Sequence, residues 1–386
     1  SFQLYLDAKI IELETGSSEA RRIADYTWVR HNYPIDIVIS TAIEVYLDNF
    51  KNARGAASGG VYVRNREAEE LLTSMIQRVP EWEKTAPWKW KKHEIDPERL
   101  PKLKFVDVFT WAGDYVTGPF TTIAQSLPND EWVIQNVGTV NMVYMNTGQA
   151  VHRVSGTIAA ETFLTRAEYE KVESLLFDAN QLHSALHEIG HTTGRMDDDH
   201  KGQPRDYLED MYSYLEESRA ELFGLWALEL LVRDGVISPD MVRACYDDML
   251  ITMIMSLKFD PVQAHNKARN AMFHYFREQG ALEQVEENGE ARFHLDHDRA
   301  KVVVAEMLKT VGNLKSAGDK QGATDLHETY VYTDDLKAEV DRRTADIPLG
   351  RGLIFPALKR DGDHYLPELV YPDRFEDQDK FKLNLG

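Results

Sequence analysis

Cysteine is nearly absent from this chain: Cys245 is the only one in 386 residues. No disulfide can close within the chain, as in proteins of reducing compartments, and a lone thiol reads as a small buried hydrophobe. Excess positive charge is also missing. Lys and Arg total 44 against 64 Asp and Glu, a formal charge of −20 with a sequence pI of about 5.1. That balance argues against nucleic acid or an anionic membrane as the main partner, while leaving peptides open. Long apolar runs are lacking too. Stretches such as Met249–Leu257 fall well short of the ~18 residues of a membrane span, and nothing resembles a signal peptide. The expected setting is therefore cytoplasmic. The chain opens on Ser1-Phe2 without Met, as a mature or trimmed form would. There is no internal repeat and no long low-complexity tract.

The remaining composition is that of a folded protein long enough for two or three domains. Residues 1–30 predict helix with an apolar stripe through Leu4, Leu6, Ile10 and Ile11, and residues 66–79 predict helix again. Between them, residues 34–45 are rich in β-branched types, and the Gly-rich residues 55–60 precede a strand-like Val61-Tyr62-Val63. Residues 80–104 carry several Pro and Trp and read as an irregular connector. Residues 106–146 alternate short apolar runs with Gly, Pro and Asn, as strands and loops do. From Thr165 a capping box, Thr165-Arg166-Ala167-Glu168, opens helix to about Thr192. Further helices are expected near 204–234, 239–258, 260–279 and 298–315, before a mixed tail. The predicted class is α+β.

The helical part carries the chemistry. His187 and His191 stand four residues apart, which puts both imidazoles on one helix face within reach of one metal ion. Glu188 projects from the same turn at another angle, beside the metal, where it could take a proton from water on the ion. Zinc suits imidazole and carboxylate ligands and keeps one position open in catalytic sites. The next helix holds Glu216-Glu217-Ser218-Arg219-Ala220-Glu221, with Glu217 and Glu221 on one face beside an apolar stripe. Carboxylates there need a cation. Glu217 is the expected third ligand, and Glu221 is expected to orient a ligand imidazole from behind.

These segments together resemble the dipeptidyl peptidase III family of zinc peptidases, which carries a His-Glu zinc motif followed by Glu-Glu-Cys-Arg-Ala-Glu. Three further segments match in family order. They are Ile43-Glu44-Val45-Tyr46-Leu47-Asp48 with Arg54-Gly55, Leu127-Pro128-Asn129-Asp130, and Ala264-His265-Asn266-Lys267-Ala268-Arg269. The resemblance implies one zinc per chain on His187, His191 and Glu217, and Glu188 as general base. It also implies that His265 and Tyr46 stabilise the oxyanion, that Glu44 and Asn129 grip the substrate's amino terminus, and that Arg269 helps place the peptide. It further implies two lobes around a cleft, a mainly helical zinc lobe and a smaller mixed α/β lobe with a β-barrel-like core. The mixed lobe would take residues 1–63, 106–156 and 347–386, and the helical lobe 157–346, with 64–105 as its first part or a connector. Three departures stand out. The zinc motif is the five-residue His-Glu-x-x-His rather than the family's six-residue form. Ser218 replaces the Cys, and Ser126 stands where the family has Asn. The match resembles the carboxy-terminal two thirds of a typical member, as in a shorter subfamily or a fragment.

The predicted activity is removal of short units, dipeptides by the resemblance, from the amino termini of oligopeptides. Two other readings stay open: a catalytically weak peptide-capture or regulatory module working with a missing amino-terminal domain, and a structural protein with a metal-free acidic helix face. Elsewhere, Trp82, Trp88 and Trp90 are expected to be packing residues, and Asp197-Asp198-Asp199 a solvated turn rather than a calcium loop. His294, His297 and His327 lack a ligand set in the sequence.

Overall fold

The structure is a computed structural model; it describes residues 2–40, 58–89, 95, 102–112, 123–128, 130–194, 204–259, 263–330, 334–347, 355–361 and 364–370. The chain divides into two compact units, one built from Ser1–Leu71, Pro101–Val154 and Pro348–Gly386, the other from Leu72–Leu100 and Ser155–Ile347. No helix among the described residues is long and apolar enough to cross a membrane.

The first unit is mixed. Helices α1 (Phe2–Thr15) and α2 (Ser18–Val29) pack as a pair, with Ser17 capping α2 through the amide of Ala20. Strands β1 (Ile35–Ser40), β2 (Ser58–Arg64), β3 (Lys102–Ala112), β4 (Ala124–Leu127) and β5 (Val140–Tyr144) form one sheet in the order β1-β2-β3-β5-β4. β3 is antiparallel to β2 and parallel to β5. The expected barrel core is not seen: among the described residues the sheet stays open, with β1 and β4 as its edges. Strands β6 (Phe355–Asp361) and β7 (His364–Val370) form a separate hairpin that contacts β3. The core joins Tyr5, Ala8, Ala24 and Trp28 of the helices to Val38, Tyr62, Val106, Val108, Met142 and Tyr144 of the sheet.

The predicted stripe on α1 is corrected. Leu4, Ile10 and Ile11 are each about half exposed, while Lys9 and Glu12 are buried. The helix turns its ionic side inward because partners wait there. Lys9 Nζ lies 2.7 Å from Glu12 and 3.4 Å from Asp25, and Arg21 lies 3.1 Å from Glu12. A second buried set ties helix to sheet: Trp28 Nε1 donates to Asp36 at 2.7 Å, and Lys104 pairs with the other oxygen of Asp36.

The second unit is helical. Its labelled helices are α3 (Val79–Thr85), α4 (Leu176–Gly190), α5 (Tyr212–Arg233), α6 (Pro239–Ser256), α7 (Ala264–Glu278) and α8 (His297–Ala317). α5 runs through the middle, packed on α4, α7 and α8. Its Leu215, Leu222, Leu225, Leu228 and Leu231 are fully buried, as are Leu186 of α4 and Val303, Val304 and Met307 of α8. Each such aliphatic side chain contributes roughly 1.5–3 kcal/mol.

Two predictions change here. The helix expected from Thr165 to Thr192 is two helices, Arg166–Val172 and α4, with a turn between them. One arm of the capping box forms, with the Glu168 amide donating to Thr165 Oγ1 at 3.3 Å; the Glu168 carboxylate accepts from that hydroxyl at 2.7 Å instead of from the Thr165 amide. The connector at 80–104 begins as helix α3, with Pro80 in its first turn, where the missing amide hydrogen costs nothing. Trp82 and Trp88 are buried against Phe223, and Cys245 is buried with its thiol 3.6 Å from the Ala179 carbonyl.

Candidate metal centre

Three helices of the second unit supply the site. His187 and Glu188 lie in the last turn of α4, and His191 follows at its C-cap with backbone angles still in the right-handed helical region. The five-residue spacing thus keeps regular helical geometry, and the two imidazoles face each other with Nε2 atoms 3.1 Å apart. Opposite them α5 presents Glu217. Its Oε2 is 3.3 Å from His187 Nε2 and 3.7 Å from His191 Nε2.

The helices approach closely because small residues line their crossing. A Cβ added at Gly190 would sit 3.1 Å from the Cα and carbonyl oxygen of Ala220. A Cβ at Gly224 would sit 3.2 Å from His183 Nε2 and 3.3 Å from the His187 amide nitrogen.

The donor set fits zinc. A tetrahedral ion with bonds of about 2.0–2.1 Å spaces its ligand atoms roughly 3.3 Å apart. His187, His191 and Glu217 offer one atom each, all within 4.8 Å of one another, at pair distances of 3.1, 3.3 and 3.7 Å. Oε2 of Glu217 is buried without a hydrogen-bond partner among the described residues, as an oxygen reserved for a cation would be.

Each imidazole has a carboxylate behind it. His187 Nδ1 lies 3.4 Å from Glu221 Oε2, and His191 Nδ1 lies 2.7 Å from Glu216 Oε1. Such contacts fix the tautomer that turns Nε2 to a metal. Glu221 is the residue singled out in the sequence for this. Glu216 is not, because it reads there only as the neighbour of Glu217. Glu221 is also gripped by Arg269 of α7, with nitrogens at 2.6 and 2.8 Å, and approached at 3.7 Å by His183 Nε2, one turn before His187 on α4. His183 passed unremarked in the sequence, although its place four residues before His187 was a visible signal.

The charges are arranged to keep the carboxylates ionised. Burial alone would raise all three. For Glu217 the charges of His265, His187 and His191 outweigh burial and bring its pKa down to about 2. Arg219 and Lys315 hold Glu216 well below the ordinary range, and Arg269 and His187 do the same for Glu221. His183, which burial pushes down to about 4, stays neutral.

Of the other expected residues, His265 comes to the site. Its Nδ1 is 3.4 Å from Glu217 Oε2, its ring lies 5.6 Å from that of His187, and the side chain is partly open to solvent. Arg269 is brought to Glu221 rather than left free. Glu188 is buried on α4. Glu44, Tyr46, Asn129, Trp90 and residues 197–199 lie outside the described residues. His294 and His297 do find carboxylates, Glu168 at 2.6 Å and Asp247 at 2.8 Å, but pairwise rather than as a metal-binding set.

A profile described as peptidase family M49 matches residues 4–209, just over half of the chain, including His187, Glu188 and His191. Human dipeptidyl peptidase 3 is 25% identical over 393 residues, covering 88% of this chain and 52% of that protein. A protein of Arabidopsis thaliana named Nudix hydrolase 3 is 25% identical over 336 residues, covering 86% of this chain and 43% of that one. The chain thus spans about half the length of the curated relatives it matches. Among solved structures, DPP III from Caldithrix abyssi superposes with a TM-score of 0.76 at 22% identity, over 87% of this chain and 65% of that one. Dipeptidyl-peptidase III from Corallococcus sp. strain EGB gives 0.74 at 22% identity, over 90% and 67%. The fold is therefore DPP III-like.

Proposed function

This chain belongs to peptidase family M49, and on that footing we propose that it is a zinc-dependent peptidase acting near the amino terminus of oligopeptides, with dipeptides as its expected product. The observation that carries the reading is the His187, His191 and Glu217 cluster, with Glu217 Oε2 buried without a hydrogen-bond partner among the described residues, between two imidazoles that each have a carboxylate behind them. A pure binding surface gains nothing from a buried Glu188 on the same turn.

Zinc bound there would supply Lewis-acid polarisation of the scissile carbonyl and make water easier to deprotonate. Glu188 would take the proton of the attacking water and return it to the leaving amine. His265, beside Glu217 and open to solvent, would donate to the oxygen that gains charge as the carbonyl becomes tetrahedral. Tyr46 would share that work, and Glu44 and Asn129 would hold the substrate's ammonium group. Arg269 acts in this reading through Glu221, so its effect on the peptide would be indirect.

The test is zinc content together with product masses from an oligopeptide panel, for wild type and Glu188→Gln. The reading expects about one zinc per chain in both proteins, dipeptide products from wild type, and a rate loss of roughly 10²–10⁴-fold in the variant. Wild type that carries full zinc and cleaves nothing would overturn it. A second reading rests on the chain spanning 43% and 52% of its curated relatives: a peptide-capture module that works beside a further domain. Tight peptide binding, with slow turnover indifferent to Glu188→Gln, would favour that one.

A further inference from the structure

A buried ionic network lies behind His191. Glu216 Oε1 faces His191 Nδ1 at 2.7 Å and an Arg219 terminal nitrogen at 2.5 Å. Glu216 Oε2 faces Lys315 Nζ and, at 3.3 Å, Arg219 Nε. The other terminal nitrogen of Arg219 is committed elsewhere, donating to the Gly190 carbonyl at 2.7 Å and to Thr193 Oγ1 at 2.9 Å, so that it caps the end of α4. Glu83 of α3 accepts from the Gly194 amide at 2.9 Å and acts electrostatically on Lys315. Two acids and two bases thus meet at the end of the metal helix.

Lys315 is the member that packing does not explain. It sits near the end of α8 with only 6% of its surface exposed. Burying an ammonium is costly, and an apolar side chain of the same length would join α8 to α5 at least as stably. The geometry indicates what the cation does. Oε1 of Glu216 must serve both His191 and Arg219. The Arg219 donor to Oε2 stands at 3.3 Å, a weak hold. Without Lys315 the carboxylate would turn toward an even fork with Arg219, and Oε1 would move off the His191 nitrogen.

We propose that Lys315 is a positioning residue for the metal centre: by anchoring Glu216 Oε2 it aims Oε1 at His191 Nδ1 and so fixes the imidazole with Nε2 toward the ion. The proposal rests on the zinc reading above. It makes α8, which begins 80 residues further along the chain than Glu217 (297 − 217), part of the metal site.

The experiment uses the full chain, stripped of metal and reloaded. Zinc affinity is measured by competition with a chromophoric chelator, and ligand geometry by the visible absorption of the cobalt(II) form. Wild type, Lys315→Met, Lys315→Arg, Glu216→Gln and the Met/Gln double variant are compared. Lys315→Met is expected to weaken zinc by roughly tenfold and to alter the cobalt spectrum, with Lys315→Arg restoring most of both. In the Glu216→Gln background Lys315→Met should cost nothing further, because its route runs through Glu216. Wild-type affinity and spectrum in Lys315→Met would overturn the proposal. So would an equal loss with and without Glu216. If Lys315→Met does not melt cooperatively without metal, Lys315→Gln, a donor without charge, takes its place under the same criteria. A wild type that binds no zinc would overturn the zinc reading itself and this proposal with it, so the two failures are told apart.

Discussion

His191 Nδ1 stands 2.7 Å from Glu216 Oε1, and Glu216 immediately precedes the expected ligand Glu217. Two adjacent glutamates on one helix thus approach the metal centre from opposite ends of an imidazole: one would share the ion, the other orients the ring. Glu216→Gln keeps the shape and removes the charge. It should weaken zinc by roughly 10–100-fold and also lower the unfolding temperature of the metal-free protein, because Lys315 and Arg219 lose their buried counter-charge. Chelator competition and thermal unfolding check the two halves.

Removing the metal should destabilise the protein. An ion that binds only the folded state adds about 2.7 kcal/mol when free metal exceeds its Kd a hundredfold. Chelation should therefore lower the unfolding temperature, and added zinc should restore it. His187→Ala should abolish this response, which scanning calorimetry would show.

Gly190→Ala tests the helix crossing. Its methyl group would meet the Ala220 backbone at 3.1 Å, and backbone cannot turn aside as a side chain can. The substitution should cost about 1–3 kcal/mol, despite alanine's better helix propensity, and weaken zinc by parting α4 from α5. Denaturant titration and metal competition give both numbers.

Asp248 of α6, which feels the charges of Arg269 and Glu221, predicts a pH dependence of stability from a group that is not an expected metal ligand. Burial pushes its pKa from 3.8 up to about 7, although Asn180 donates to it at 3.0 Å and Arg269 lies near. Below about pH 4 the carboxyl is protonated folded or unfolded. Between about 4 and 7 the folded state keeps a proton that the unfolded state releases, so stability falls as pH rises through that window. Asp248→Asn keeps an acceptor for Asn180 and should remove this slope, gaining up to about 4 kcal/mol at pH 8. Denaturant midpoints of both proteins from pH 4 to 8 supply the difference curve.

What was legible in the sequence follows from how local each signal is. His187 and His191 could be found because helical periodicity converts spacing directly into a shared face, and Glu217 because a carboxylate beside an apolar stripe needs a cation. Glu216 lay in plain view but pointed nowhere until the position of α4 was known. Lys315 and Glu83 reach the site from α8 and α3, far along the chain, and nothing near them in sequence marks them. The stripe on α1 failed for the opposite reason. Hydrophobicity picked Leu4, Ile10 and Ile11, but the ion pairs of Lys9 and Glu12 with α2 decided which side went inward. The hairpin Leu282–Glu287 and Glu290–Leu295 is missing from the expected elements, although Asn288-Gly289, a strong turn pair between two strand-length runs, marks it.

The first unit draws its strands from three separated stretches of chain, and β6 touches β3 across the whole helical unit between them. Synthesis runs from one end, so residues 155–347 are made before β6 exists. The metal helices can find each other early, through contacts largely within one continuous segment. The sheet's last neighbour arrives late and must close a very long loop, a slow step. Zinc present during translation would thus meet a finished site on a protein whose other unit is still waiting for its final strands.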